Sequence, residues 1–229
     1  MKAILLAAGL GTRLRPLTDA VPKCLVPVKG KPLLQWWLEL LNKHGITDVL
    51  INTHYLSGRV DEFVENYNGD VRISLANEKI LLGSAGTIRA NAEFFINESS
   101  YLIIYADNLT NIDLKKMIDW HRDSGSSFTM GVFNTNRPLE CGIVELDEQG
   151  RIITFEEKPA IPKSNLANAG IYIAGPEFLD FVLSTSDFDI GKDVLPKMVG
   201  QMHGYLIEEY LIDIGTIDNY YKANKEWVG

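Results

Sequence analysis

Within the first 31 residues lies a run whose chemistry suits a phosphate ligand. Gly9-Leu-Gly11-Thr-Arg13-Leu-Arg15 places two glycines, a hydroxyl and two guanidiniums in one short loop, and Lys23, Lys29 and Lys31 follow. Glycines let backbone N–H groups come close to phosphate oxygens, and cationic side chains neutralise their charge. Two familiar phosphate loops do not fit. A dinucleotide-binding turn needs a third glycine where Leu14 stands and then an unbroken helix, which Pro16 opposes. A P-loop must end in Gly-Lys-Ser/Thr, and that triplet is missing here. The run is either a phosphate cradle of a third kind or a turn that serves structure alone. Asp107 and Asp213 are lone acids, one just after the apolar run 101–105 and the other in Ile212-Asp-Ile-Gly-Thr. A single Asp in such a place is more often a turn or cap residue than a ligand.

The elements that hold these residues are read from periodicity. Residues 3–8 (AILLAA) predict a buried strand feeding the glycine loop. Residues 32–44 predict a helix with Pro32 in its first turn, Leu34, Trp37, Leu38 and Leu41 on one face, and Gly45 as its stop. Trp36 and Leu40 widen that face, which suits either burial or the interface of a homo-oligomer. Strands are expected at 48–52 and 71–76, with a polar helix at 57–67 behind Ser57 as N-cap. A loop containing Gly83 and Gly86 leads to a helix at 88–95. The near-continuous apolar strand 101–105 suits a parallel sheet covered on both faces, and a helix at 114–122 follows. Strand and helix in alternation give a Rossmann-like, doubly wound α/β sheet. Beyond it, strands are expected at 128–133, 142–146, 152–156, 169–174 and 205–209, with helices at 176–183, 192–199 and 216–227. Neither a linker nor a repeat is visible, so one domain over 1–229 is expected, its two halves meeting near residue 125.

Charge and cysteines narrow the partners. The net charge of −8 argues against nucleic acid. Residues 1–31 nevertheless carry Lys2, Arg13, Arg15, Lys23, Lys29 and Lys31 against Asp19 alone, so positive charge is concentrated beside the loop. Cys24 and Cys141 lie in no metal-ligand spacing, so two free thiols and a cytoplasmic location are expected. The opening residues superficially imitate a signal peptide, but their apolar part is short and runs into Arg13 and Arg15. No run approaches the roughly 20 apolar residues of a membrane span, and no membrane partner is expected.

The motifs in their order resemble a known family. Gly9 to Thr18 (GLGTRLRPLT), Pro22-Lys23, Leu25-Val-Pro27-Val and Gly30-Lys31-Pro32 are similar to the N-terminal signature of the sugar-nucleotide pyrophosphorylases. These nucleotidyltransferases join a sugar 1-phosphate to a nucleoside triphosphate. Cys24 departs from the Pro often found after the lysine. Ala106-Asp107 resembles the family's Gly-Asp metal site, with Ala for Gly and Tyr105 for Asn. Asp213-Ile-Gly-Thr, followed by Tyr220 and Ala223-Asn224, resembles its C-terminal segment. Gly142, Glu156-Glu157-Lys158-Pro159 and Asn168-Ala-Gly170-Ile-Tyr172 resemble its sugar and sugar-phosphate motifs. The resemblance covers nearly the whole chain.

It implies a single GT-A-like nucleotidyltransferase domain, with a nucleotide half over about 1–125 and a sugar half over about 126–229. Hexapeptide repeats are absent from the sequence, so no left-handed β-helix is expected. Asp107 and Asp213 would hold Mg²⁺, and Arg13, Lys23 and Asp107 would be catalytic. Nucleotide contacts would come from Leu6, Ala8, Gly9, Gly11, Thr12, Arg13, Lys23, Glu78, Gly83 and Gly86. Gly142, Glu157, Lys158 and Asn168 would meet the sugar phosphate. The segment Glu78…Leu82-Gly83-Ser-Ala-Gly86-Thr resembles the loop of guanylyltransferases that use mannose or heptose 1-phosphate. GTP is thus the favoured nucleotide, with uridylyl or cytidylyl transfer, or a non-catalytic regulatory binder, as alternatives.

Overall fold

The computed structural model describes residues 1–229. Along the chain come β1 (Ala3–Leu6), β2 (Pro27–Val28), β3 (Lys31–Pro32), α1 (Leu33–Lys43), β4 (Asp48–Thr53), α2 (Ser57–Glu65) and β5 (Arg72–Asn77). Next are α3 (Gly83–Ala90), β6 (Tyr101–Tyr105), β7 (Asn108–Thr110), α4 (Leu114–Asp123), β8 (Phe128–Asn134), β9 (Gly142–Leu146) and β10 (Ile152–Glu157). β11 (Leu166–Ala174), α5 (Pro176–Ser184), β12 (His203–Leu206), β13 (Leu211–Asp213) and α6 (Ile217–Glu226) complete it. No helix is long and apolar enough to cross a membrane. The fold is α/β with mixed strand pairing.

The chain packs as two compact units, and a single cut near residue 125 does not separate them. The first unit comprises Met1–Leu81, Ile104–Ile112 and Glu209–Gly229, and the second Leu82–Ile103 and Asp113–Glu208. The chain therefore returns twice to the first unit.

In the first unit β4 pairs in parallel with β1 and with β5. Ala3, Ile4 and Leu5 are fully buried, as a strand covered on both faces requires. α1 buries Leu33, Leu34, Trp37, Leu38 and Leu41, and Gly45 ends it with φ +74° while Ile46 N–H donates to Leu41 O. Both indoles of this helix have partners within the chain. Trp37 Nε1 donates to Asn108 O at 2.7 Å, whereas Trp36 Nε1 donates to Val28 O and its ring meets Trp227 edge-on. Trp36 and Trp37 are thus both used within the unit. Ser57 is the first residue of α2 rather than its cap, because Leu56 takes the cap position in a left-handed conformation. The three-residue strands β7 and β13 pair antiparallel, with Asp213 opposite Asn108.

In the second unit β8 pairs antiparallel with β11 and parallel with β12, and β9 pairs antiparallel with β11 and β10. The strand expected at 205–209 lies at His203–Leu206. The helix expected at 88–95 begins at Gly83, so both glycines belong to its opening turns. Ser84, Ala85, Gly86, Thr87 and Ile88 are all buried, and packing overrides the poor helix propensity of glycine. At 192–199 a helix was expected; a single wide turn, Ile190–Val194, and a 3₁₀ turn, Leu195–Met198, stand there instead. Pro196 opposes a regular helix at that point.

Candidate active site

In the first unit the parallel strands end side by side, which is where α/β sheets bind ligands. Ala7, just past β1, donates its N–H to Asn52 Oδ1 at 2.7 Å, and Asn52 Nδ2 donates to Glu78 Oε1 at 2.8 Å. This relay ties the start of the glycine loop to a buried carboxylate beyond β5. Leu6 and Ala8 are half-buried and buried beside it, so their backbone is what they can offer.

The two loop glycines have different reasons to be glycine. A Cβ on Gly9 would meet nothing within 4 Å, which leaves open space for a ligand. Gly11 has φ +64°, and its Cβ would lie 2.9 Å from the Thr18 methyl and 3.3 Å from Lys23 Cβ. It is there for conformation and packing, and Thr18 Oγ1 donates to its carbonyl at 2.7 Å. Thr12, Arg13 and Leu14 form one 3₁₀ turn and go no further. Thr12 and Arg13 are exposed.

Four side chains then converge. Asp107 sits in the turn between β6 and β7, and its carbonyl accepts from Ile214 N–H. Because Asp213 is opposite Asn108 in the β7–β13 ladder, both carboxylates come to one place. Lys23 Nζ lies between them, 2.6 Å from Asp107 Oδ2 and 3.4 Å from Asp213 Oδ1. Arg13 Nη2 stands 3.9 Å from Asp213 Oδ2. Lys23 is only 9% exposed. Burial alone would lower its pKa, but the charges of Asp107 and Asp213 outweigh that and hold the ammonium above its ordinary value. Burial raises the Asp213 carboxyl, and the Asp107 charge raises it further against the pull of Lys23. Gly215 N–H donates to Asp213 Oδ1 at 2.6 Å. A Cβ on Gly215 would lie 2.7 Å from Lys23 Nζ and 3.1 Å from Arg13 Nη2, so a larger residue there would push these side-chain ends aside.

Two carboxylates converging on a single cation form a donor set of hard oxygens, so Asp107 and Asp213 fit Mg²⁺. Of the remaining basic residues near the start, Lys31 is bound to Glu39 at 2.6 Å and Lys29 reaches Lys225 O, while Arg15 pairs with Asp19 at 3.3 Å. Lys29 and Lys31 thus anchor the β2–β3 hairpin, and Arg13 and Lys23 are the cations brought to the carboxylates.

The second unit holds the other group of expected site residues. Glu157 is opposite Gly142 in the β9–β10 ladder, and a Cβ on Gly142 would lie 2.8 Å from Glu157 Oε2. Burial raises the Glu157 carboxyl, Lys158 and Lys192 oppose this, and Asp189 adds to it. Lys158 is exposed in a left-handed conformation, φ +51°, with its N–H donated to Cys141 O. Asn168 braces a bulge in β11, donating Nδ2 to Tyr172 Oη at 2.7 Å and accepting from Gly170 N–H at 2.9 Å. Gly83 and Gly86 lie in the opening turns of α3. A Cβ on Gly83 would strike Phe188 O at 2.2 Å.

Asn52, Ser84 and Asp189 belong to these networks and were not found from sequence. Ser84 Oγ donates to Asp189 Oδ2 and accepts from Ile190 N–H, which clamps α3 to the 187–191 segment. The signal for Asn52 was present: a polar residue near the carboxyl end of an otherwise apolar strand, as with Asp107.

The chain belongs to the nucleotidyl transferase family, whose model matches residues 2–228. It is 33% identical to a UTP–glucose-1-phosphate uridylyltransferase of Synechocystis over 97% of its length, but spans only 62% of that protein. It is 32% identical to the D-glycero-alpha-D-manno-heptose 1-phosphate guanylyltransferase of Aneurinibacillus thermoaerophilus, covering 99% of this chain and 98% of that one. Among solved structures, HddC from Yersinia pseudotuberculosis complexed with GMP-PN superposes with a TM-score of 0.82 at 26% identity, over 98% of both chains.

Proposed function

We propose that the protein transfers a nucleotidyl group from a nucleoside triphosphate, with GTP favoured, to a sugar 1-phosphate of mannose or heptose type. The observation that carries this reading is the convergence of Arg13, Lys23, Asp107 and Asp213 beside an open glycine loop. A phosphate oxygen of the sugar 1-phosphate is already an anion at neutral pH, so the attack needs no general base. It bonds to the α-phosphorus in line, the bond to the bridging oxygen breaks, and pyrophosphate leaves. Catalysis of such a step is positioning and neutralisation of charge.

Arg13, exposed in the middle of its turn, takes the triphosphate oxygens. Lys23 offers its ammonium to phosphate charge, and Gly9 with Thr12 admits the backbone of the loop to the ligand. Asp107 and Asp213 would hold Mg²⁺, which when bound supplies Lewis-acid neutralisation of the phosphate charge. In the second unit Lys158 meets the sugar phosphate, and Glu157, with Gly142 keeping space beside it, accepts from sugar hydroxyls. Glu78, held by Asn52, is an acceptor suited to the N1–H and N2–H of guanine. The near full-length match to a heptose 1-phosphate guanylyltransferase supports guanine and a heptose-type sugar. A uridylyl reading is favoured by the similarity to the glucose-1-phosphate uridylyltransferase.

Pyrophosphate release from GTP, UTP, CTP, dTTP and ATP, each against mannose, heptose and glucose 1-phosphates with Mg²⁺, decides between them. The fastest release is expected with GTP and a mannose or heptose phosphate. A UTP–glucose 1-phosphate rate about tenfold higher would move the assignment to uridylyl transfer. Silence with every pair would leave a sugar-nucleotide-binding regulator.

A further inference from the structure

We propose that Lys23 is the resident counter-cation of the Asp107–Asp213 pair, so that a divalent ion enters this site only with a triphosphate that draws the ammonium away. The inference rests on the reading of these two carboxylates as cation ligands. Lys23 Nζ occupies the position between them, at 2.6 Å and 3.4 Å, and its side chain is 11% exposed. The Gly215 backbone walls one side of this position, since a carbon added there would fall 2.7 Å from Lys23 Nζ and 2.8 Å from Asp213 Oδ1. An ammonium and a metal ion cannot share that gap, and like charges would oppose it in any case.

The charges point the same way. Lys23 in contact and Arg13 at 3.9 Å offset the two carboxylates, so the cluster has little net attraction for a free divalent ion. A triphosphate changes this in two respects. Its oxygens give the ammonium a new partner, and they supply further ligands for an ion that keeps few protein ligands of its own. Lysine suits the exchange better than arginine, being a compact charge on a flexible stem. Its backbone does not need to move, because Lys23 begins a 3₁₀ turn, Lys23–Leu25, closed by hydrogen bonds from Leu25 N–H to Pro22 O and Val26 N–H to Lys23 O. By linkage, the nucleotide raises metal affinity by the same factor by which metal raises nucleotide affinity. A static ion pair that merely ties the loop to the β7–β13 ladder would show none of this.

The test is metal binding without turnover. Mn²⁺ affinity of the full chain, without nucleotide, is measured by paramagnetic resonance for the wild type and for Lys23→Met, which keeps an apolar stem but no charge. The variant is expected to bind at least about tenfold more tightly, a difference of roughly 1.4 kcal/mol, and to lose that gain on adding Asp213→Asn. Affinity equal to or weaker than wild type overturns the proposal. If circular dichroism shows Lys23→Met unfolded, Lys23→Gln takes its place. A measurement on the wild type needs no variant: with ¹³C-labelled lysine, the Lys23 Cε signal should stay put with Mg²⁺ alone and move with Mg²⁺ and GTP together. Movement with Mg²⁺ alone, or none with both, also overturns it. Failure of the functional reading shows elsewhere, as absent pyrophosphate release, whereas the Mn²⁺ comparison reads only the hold of Lys23 on the carboxylates.

Discussion

The carboxylate cluster of the first unit and the Glu157–Asn168 region of the second are built by opposite means. In the first, the β7–β13 ladder brings the two carboxylates to one place, and Arg13, Lys23, Asp107 and Asp213 then hold one another by charge. In the second, backbone shape does the arranging. Gly142 makes space across a ladder, Lys158 sits at positive φ, and Asn168 spends its amide on a bulge. A site organised by charge should fail when charge is removed at constant volume. A site organised by shape should fail when volume is added at constant charge.

The sharpest way to break the comparison is Asp107→Asn, nearly isosteric and one charge lighter. Turnover is expected to fall about a thousandfold, while the circular dichroism melting curve stays close to wild type. Near-normal turnover would remove the cation site from the reading. Next comes Gly142→Val, which changes no charge but sets atoms where Glu157 Oε2 and the Phe155 ring stand at 2.8 and 2.9 Å from the new Cβ. The KM for the sugar 1-phosphate should rise about tenfold with the KM for the nucleotide unchanged. Equal effects on both would mean that Gly142 serves the fold alone. The smallest effect is expected from Asn168→Ala, which removes both hydrogen bonds bracing the bulge. A loss of about 1 kcal/mol in urea unfolding is expected, with a smaller change in sugar-phosphate KM than Gly142→Val gives.

The two regions also differed in how far the sequence exposed them. Asp107 was visible as a lone acid after an apolar strand, and the glycine loop by its composition. The pairing of Asp107 with Asp213 was legible only through the family resemblance and not through periodicity, because β7 and β13 are three residues each and too short to display alternation. A charge count located the basic residues near the loop, yet it carries no direction. Lys29 and Lys31 turned to Lys225 O and Glu39 instead. Gly83 and Gly86 read as loop punctuation, and burial made them helix. The α/β class was legible throughout, since apolar runs such as 101–105 and the amphipathic α1 are strong periodic signals. The bulge at Asn168–Tyr172 is a register shift, which single-strand periodicity does not report.

The return of the chain to the first unit has a consequence for how the protein is made. Lys23 and Asp107 are 84 residues apart and Lys23 and Asp213 are 190 apart. On a ribosome, the ammonium and its first carboxylate emerge while the second is still untranslated, and β7 waits for β13 through the synthesis of Asp113–Glu208. The nascent protein thus carries all of the second unit before its cation cluster can close. Chains halted before Asp213 lack that cluster altogether.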